Sequence, residues 1–578
     1  MMFKSSTAWF VVCGIFVLLP GFPPVAQAQS LGERFAIKEG VENTFSASGL
    51  MHNFQFVTKD ESGLYLLHSI SRLEGLKGFQ DYYLERYDPA TLGKTGSELL
   101  FTLSASGMTM SLQLLTCREY GGEVWCFFME NEGDLGVYAQ RLDLSSLQLT
   151  DERVDLLRED GRQWKMSDAH GDRLEHFLPV LFSFERDSTG RDRAVFLIRS
   201  DSKGGAKGEA YYSFAVYDEH LKELWNGASD LEDRAEDFLL DEMILRPDQN
   251  ELYLLTHRRL SKKVEWDKGF GRKGAKGIFW QLTGHAAGGE VWHLPVDSEV
   301  DPVLSALSFS QHPVKDELVL WAKYRKSPDP KALRFEGIFL GHFNLAKREF
   351  SLRKYTDLEP DQAEDLLWAK KEHRIEKAYE ARKNFDGLDA DITHAILRED
   401  GGLFLEFYTT YETTYEDHSG EFYLDLTGVP FGTAYMAVSP SGEVEWIKKT
   451  AVKLSDGLLP TFVCSKYAKV WLKEGRLYFL FTVADDIVRA AVVPLEELRL
   501  QKLPEIGVFY LSASDGQASE IEAFKSTEKD EELLYSDISK AIELGDDELL
   551  LWVSRKSEPE KYKWVRLRYK WIRKKSRL

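Results

Sequence analysis

One short phrase recurs eight times along the chain, and it constrains the fold more than any other feature. A turn with Gly, Asp or Asn leads into four or five apolar or aromatic residues. The copies are SGLYLL at Leu64, GEVWCFF at Val124, DRAVFLI at Ala194, NELYLL at Leu252, DELVLW at Leu318, GGLFLEF at Leu403, GRLYFLF at Leu477 and DELLLW at Leu549. Their start points lie 60, 70, 58, 66, 85, 74 and 72 residues apart. Each run is too short for a helix and rich in Val, Leu, Phe, Tyr and Trp, the pattern of a strand covered on both faces. Recurrence at a near-constant period marks a repeat architecture in which each unit covers its neighbour.

Flanking strands complete each unit. A looser strand A precedes the turn, as in 52–57, 111–117 and 177–184. The apolar run is strand B. An alternating strand C follows, as in 82–88, 137–143 and 211–217, and a strand D comes after a polar turn. Four antiparallel strands repeated eight times predict an all-β chain, an eight-bladed β-propeller; a count of seven or fewer is the alternative. The ends bear on closure. The last unit offers strand A (Ser536–Glu543), strand B (Leu549–Val553) and strand C (Tyr562–Tyr569), but no clear D. An orphan segment near the start, 34–38, is expected to supply it, so that the ring has no open edge.

Ahead of that segment, residues 1–28 have the form of a secretory signal peptide. Lys4 is the only charge, Ala8–Leu19 is apolar, prolines follow, and Ala26-Gln27-Ala28 is a small-x-small cleavage site. The apolar core is shorter than the roughly 20 residues of a spanning helix. The expectation is a periplasmic or secreted monomer, residues 29–578 forming one propeller domain with no transmembrane segment. Asp and Glu outnumber Lys and Arg, 94 to 73, for a net charge of −21. That balance argues against nucleic acid, whose phosphates need a basic face.

Three cysteines remain in the exported chain: Cys117, Cys126 and Cys464. Cys117 and Cys126 flank the hairpin tip Gly121-Gly122 symmetrically and so face each other across an antiparallel pair. A disulfide and two buried thiols are both open at this point. No Cys/His spacing suits zinc, and the acidic stretches lack the spacing of a calcium loop, so no metal is expected.

Three C–D hairpins share a further phrase, a polar or Gly turn before a strand ending in Trp: Tyr217–Trp225, Gly284–Trp292 and Ser439–Trp446. This resembles the repeats of quinoprotein-type eight-bladed propellers, including the barrel-assembly scaffold type. The resemblance implies a tryptophan from one blade docked against the next. Quinone-dependent members of that group carry adjacent cysteines at the cofactor. None occur here, so no cofactor is expected.

Function is sought in the loops. A–B and C–D turns share one face of such a ring, and B–C and D–A connections share the other, which takes nearly all the insertions. Residues 257–276 hold eight Lys and Arg, Arg258, Arg259 and Lys262 among them, with Trp266. Such a loop on an acidic protein suits an anionic polysaccharide, a lipid headgroup or an acidic partner, or is simply solvated. Residues 407–425 hold Tyr408, Tyr411, Tyr415 and His418 beside several carboxylates, a set suited to sugar rings or to an extended hairpin of ordinary strand chemistry. Residues 359–384 have the periodicity of a helix, with Leu367, Lys371, Ile375 and Tyr379 on a narrow stripe. No catalytic residue stands out. The expectation is a scaffold that binds a protein or polysaccharide through its long-loop face. The alternatives are a polysaccharide hydrolase or lyase on the same fold and a subunit of an envelope assembly complex.

Overall fold

The structure is a computed structural model. It describes residues 35–45, 51–74, 77–104, 112–132, 134–159, 180–201, 209–234, 238–259, 266–267, 271–272, 278–297, 303–325, 336–359, 362, 366, 385–416, 423–425, 429–452, 469–482, 506–517, 519, 522–524, 533–535, 542–545, 547–555 and 558–569. These form eight antiparallel sheets of the A–B–C–D order and a two-residue ladder, Trp266–Asp267 with Gly271–Arg272. The fold is an eight-bladed β-propeller. Blade 1 consists of Met51–Lys59, Leu64–Glu74, Lys77–Tyr87 and Lys94–Ser104, and the next six blades follow in chain order.

Blade 8 closes the circle. Its A position is shared by Leu533–Tyr535 and Ile542–Gly545, its B strand is Glu548–Arg555, and its C strand is Glu558–Tyr569. The D strand is Phe35–Thr44 from the other end of the chain, paired from Phe35↔Tyr569 to Thr44↔Lys561. This strand runs six residues beyond the expected 38 because its second half continues the ladder past a bulge between Glu39 and Glu42. Within the segment predicted helical, Gln362 and Leu366 are helical, and Leu366 is buried in the seam of blades 5 and 6. The other residues of 360–384, including the predicted stripe, lie outside the described residues, as does 1–34. Helix is therefore a minor element of the described fold.

Side-chain alternation explains why each B strand reads as an unbroken apolar run. Leu64 and Leu66 point into the seam with blade 8, while Tyr65 and Leu67 point into the seam with blade 2. Ala194, Phe196 and Ile198 face blade 2, and Val195 and Leu197 face blade 4. Both sets are excluded from water, so the period-two contrast of a one-sided sheet disappears. Among the described residues, seven of the eight seams are apolar clusters of this kind. Tyr478 and Tyr569, with ring centroids 5.5 Å apart, join blades 7 and 8.

Polar links cross every seam as well. Gln55 donates to Thr116 at 2.8 Å between blades 1 and 2, and the Gly121 amide donates to Asp192 at 2.9 Å between blades 2 and 3. Ser188 reaches Asp248 at 2.9 Å, Arg348 pairs with Glu290, and Thr356 donates to the Gly442 carbonyl at 2.6 Å. Trp446 donates to the Ala513 carbonyl at 3.2 Å, Lys473 pairs with Asp547 at 3.0 Å, and the Asn43 amide donates to the Leu92 carbonyl at 3.0 Å. Most lie on the A–B and C–D face, which is laced shut by groups already satisfied within the ring.

Gly121 shows how tight that lacing is. Its φ of +62° suits glycine, and a Cβ there would stand 1.8 Å from the Glu219 carbonyl oxygen of blade 3. Gly121→Ala is expected to cost about 2 kcal/mol through strain and overpacking. Denaturant unfolding checks this; an unchanged midpoint would mean that the two blades part freely at this point.

Candidate functional site

The connections divide sharply between the two faces. No A–B or C–D turn exceeds the nine residues of 513–521. On the opposite face, 160–179, 260–277, 326–336, 358–384, 417–428, 453–468 and 483–505 all separate consecutive blade strands. All but the first belong to blades 4 to 7, whereas blades 8 and 1 carry short links there, such as 556–557 and 75–76. The elaborated surface is thus one side of one face.

The described residues at its base carry an oriented imidazole. In blade 4 a bulge between Leu240 and Glu242 sets Asp241 apart from the A-strand ladder. Asp241 accepts from His257 Nδ1 at 2.6 Å, and the imidazole lies against Trp280 with centroids 4.7 Å apart. A carboxylate on Nδ1 fixes the tautomer and leaves Nε2 as the acceptor. Glu242, the next residue, accepts from the Phe309 amide at 3.0 Å across the seam to blade 5. Burial holds its carboxyl above the usual range, opposed by hydrogen bonds from Ser308 and Phe309.

Segment 257–276 springs from this point. Arg258 and Arg259 end the B strand, opposite Phe279 and Ile278 of strand C, and Trp266 pairs with Arg272 in the short outer ladder. Lys262 lies outside the described residues. In blade 6, Tyr408, Tyr411 and Tyr415 all fall within strand Leu403–Glu416, whose far end pairs with Tyr423–Asp425. That is the extended-hairpin alternative. Tyr408 stands opposite Asp391 and Thr433, and Tyr411 opposite Leu388 and Val429. His418 lies outside the described residues. The basic and tyrosine segments therefore rise from blades 4 and 6 of the same face. Among the described residues no group of three or more His, Cys, Asp or Glu side chains is placed to hold a metal ion.

A second polar centre, which sequence reasoning missed, occupies the seam where blade 8 meets blade 1. His52 Nδ1 donates to His68 Nε2 at 3.0 Å, and His68 Nδ1 donates to Glu85 Oε1 at 3.0 Å. Lys94 reaches the same carboxylate at 3.3 Å. Tyr87 donates to its other oxygen, and Tyr562 of blade 8 donates to Tyr87. His68, Lys94 and Tyr87 converge on Glu85, whose side chain is fully buried. Burial, reinforced by the Glu85 charge, pushes both phenols far above the usual tyrosine range. Phe45 stacks on His52 at 3.9 Å and Phe54 on His68 at 4.1 Å. The available signal was a His in the apolar run LYLLHS and a Glu in YYLERY, polar residues that burial obliges to find partners.

Cys117 and Cys126 are directly opposite, as the turn symmetry predicts, with Sγ atoms 2.9 Å apart. Two of the three hairpin tryptophans reach the next blade visibly. Trp292 packs near Phe343 of blade 5 at 5.6 Å and beneath Arg348, and Trp446 joins the apolar cluster of blade 7. Trp225 stacks edge-on with Phe214 and borders the cluster shared with blade 4. No helix among the described residues is long and apolar enough to cross a membrane.

No known family profile matches the chain, and no curated protein matches it. Among solved structures it is similar to a cobalt-substituted oxygenase, ACO, of Synechocystis, at 9% identity over 78% of this chain and 84% of that one, with a TM-score of 0.31. It is similar to the acylaminoacyl peptidase of Pyrococcus horikoshii at 10% identity, covering 80% of this chain and 58% of the peptidase, with a TM-score of 0.31. The β-propeller domain of the trilobed protease of Pyrococcus furiosus shares 10% identity over 83% of this chain and 100% of its own, with a TM-score of 0.29.

Proposed function

We propose that the chain is an exported, monomeric binding propeller that grips an acidic macromolecule, polysaccharide or protein, through the long connections of blades 4 to 7. The observation that carries this reading is the asymmetry of the two faces. Short turns on one side are consumed in holding the ring together, while long connections join the strand ends of the other, and rigid scaffolds put recognition in their loops. Segment 257–276 adds concentrated positive charge and two aromatic residues on an otherwise acidic protein. Export rests on the form of residues 1–28. The docked Trp292 and Trp446 favour kinship of the blades with the quinoprotein-type repeat.

The test is a glycan array and a pull-down with the chain from residue 29, beside a variant lacking 260–275. The flanking strands pair up to Arg259↔Ile278, so 276–277 remain to turn between them. Acidic ligands should lose at least tenfold in affinity, about 1.4 kcal/mol, and the loss should shrink as salt is raised. Equal binding by both proteins would refute the role of the segment.

A second reading, an acid–base hydrolase or lyase on a polysaccharide, draws on the Asp241–His257 pair at the root of the same segment. It predicts turnover of a bound glycan that His257→Ala abolishes while binding persists.

A further inference from the structure

Cys117 and Cys126 carry chemistry that ligand binding does not use. Their strands, Leu112–Tyr120 and Glu123–Glu132, are joined by a two-residue turn with Gly121 and Gly122 at φ of +62° and +80°. Such a turn makes Tyr120 and Glu123 a hydrogen-bonded pair, and the character of successive pairs then alternates. The register runs Glu119↔Val124, Arg118↔Trp125, Cys117↔Cys126 without a bulge. Counting from the turn, the cysteines occupy a non-hydrogen-bonded pair. There the Cα atoms stand about 4.5 Å apart and side chains approach most closely, inside the disulfide range of about 4.4–6.8 Å.

The side chains agree with the backbone. The Sγ atoms are 2.9 Å apart as thiols, and both residues are fully buried in the seam of blades 1 and 2. Across that seam Gln55 donates to the Cys117 carbonyl at 3.3 Å. We propose that Cys117 and Cys126 form a cross-strand disulfide, made while blade 2 folds and closed to solvent once blade 1 docks. In the reaction both thiols lose their protons, the Sγ–Sγ bond forms, and two electrons pass to a disulfide oxidant, which leaves as two thiols. The oxidant must arrive before docking, because neither sulfur is exposed afterwards. Burial also pushes the Cys126 thiol up, which disfavours its attacking thiolate in the folded protein.

The test refolds the reduced chain from residue 29 in mixed reduced and oxidised glutathione, then alkylates it in guanidinium before and after adding reductant. Without reductant only Cys464 should react, so alkylation falls from three thiols to one. Cleavage after Arg118 should release the two cysteine peptides still linked and lighter by two hydrogens. Added to protein already folded with free thiols, oxidised glutathione should leave both unreacted. Full alkylation of all three after refolding, or a link involving Cys464, would overturn the proposal. Oxidation of the folded protein as fast as the refolding chain would overturn the order of events. The redox couple is supplied in the tube, so a failure counts against this pair and not against export.

Discussion

Glu85→Ala is expected to cost about 4 kcal/mol, the loss typical of breaking a buried charged pair from one side. The carboxylate is the common acceptor for His68, Lys94 and Tyr87, and through Tyr87 it holds Tyr562. Removing it orphans these donors in a seam sealed by Phe54, Trp564 and Leu550. Glu85→Gln keeps acceptor oxygen at one position and should lose less. Adding Tyr87→Phe and Tyr562→Phe together to Glu85→Ala should recover part of the loss, because both stranded hydroxyls go. Guanidinium unfolding followed by tryptophan emission reads the effect, with Trp552 and Trp564 beside the site. A loss below about 1 kcal/mol, the worth of an ordinary neutral hydrogen bond, would mean that the network contributes little to closure.

Acid should weaken the fold from about pH 6.5 downward through its buried histidines. His285 is 4% exposed, and burial, with a smaller contribution from His293, brings its pKa down to about 4. His312 and His342 shift the same way, burial again leading. The folded imidazole of His285 stays neutral where an unfolded one, with a pKa near 6.5, takes up a proton. The stability that His285 contributes is therefore complete above about pH 6.5 and falls as pH drops towards 4, at about 1.4 kcal/mol per pH unit. His285 alone accounts for roughly 3 kcal/mol over that window. Denaturation midpoints between pH 7 and pH 4 measure the slope, and His285→Gln should flatten it. Parallel curves for the two proteins would show that His285 is charged in the fold or absent from the balance. Carboxylates such as Asp143, lowered to about 2 by hydrogen bonds from Ser145 and Ser146, enter only in more acidic solution.

The blades were legible because their B strands announce themselves. A strand such as Ala194–Ile198, wholly buried on both faces, has to be an apolar run, and eight such runs define eight units. The closing strand was legible because the last unit lacked a partner. The seam network was not. Glu85 and Tyr562 are separated by 477 positions, and no local spacing links a histidine in one strand to a tyrosine in another blade. Asp241 was hidden for a similar reason: only the bulge beside Glu242 sets it apart for His257. The loop face was legible as a distribution of lengths. Its concentration over blades 4 to 7 emerged only once strand boundaries fixed which connection belongs to which blade.

Blade 8 is assembled from segments almost five hundred residues apart, Phe35–Thr44 and Leu533–Tyr569. A ribosome adding roughly 5–20 residues per second leaves the first of these segments waiting about 30–100 s for its mate. During that interval it is a bare edge able to pair with a neighbouring nascent chain. Closing the ring thus waits on Glu558–Tyr569, and crowding of unfinished copies is the hazard it must outrun.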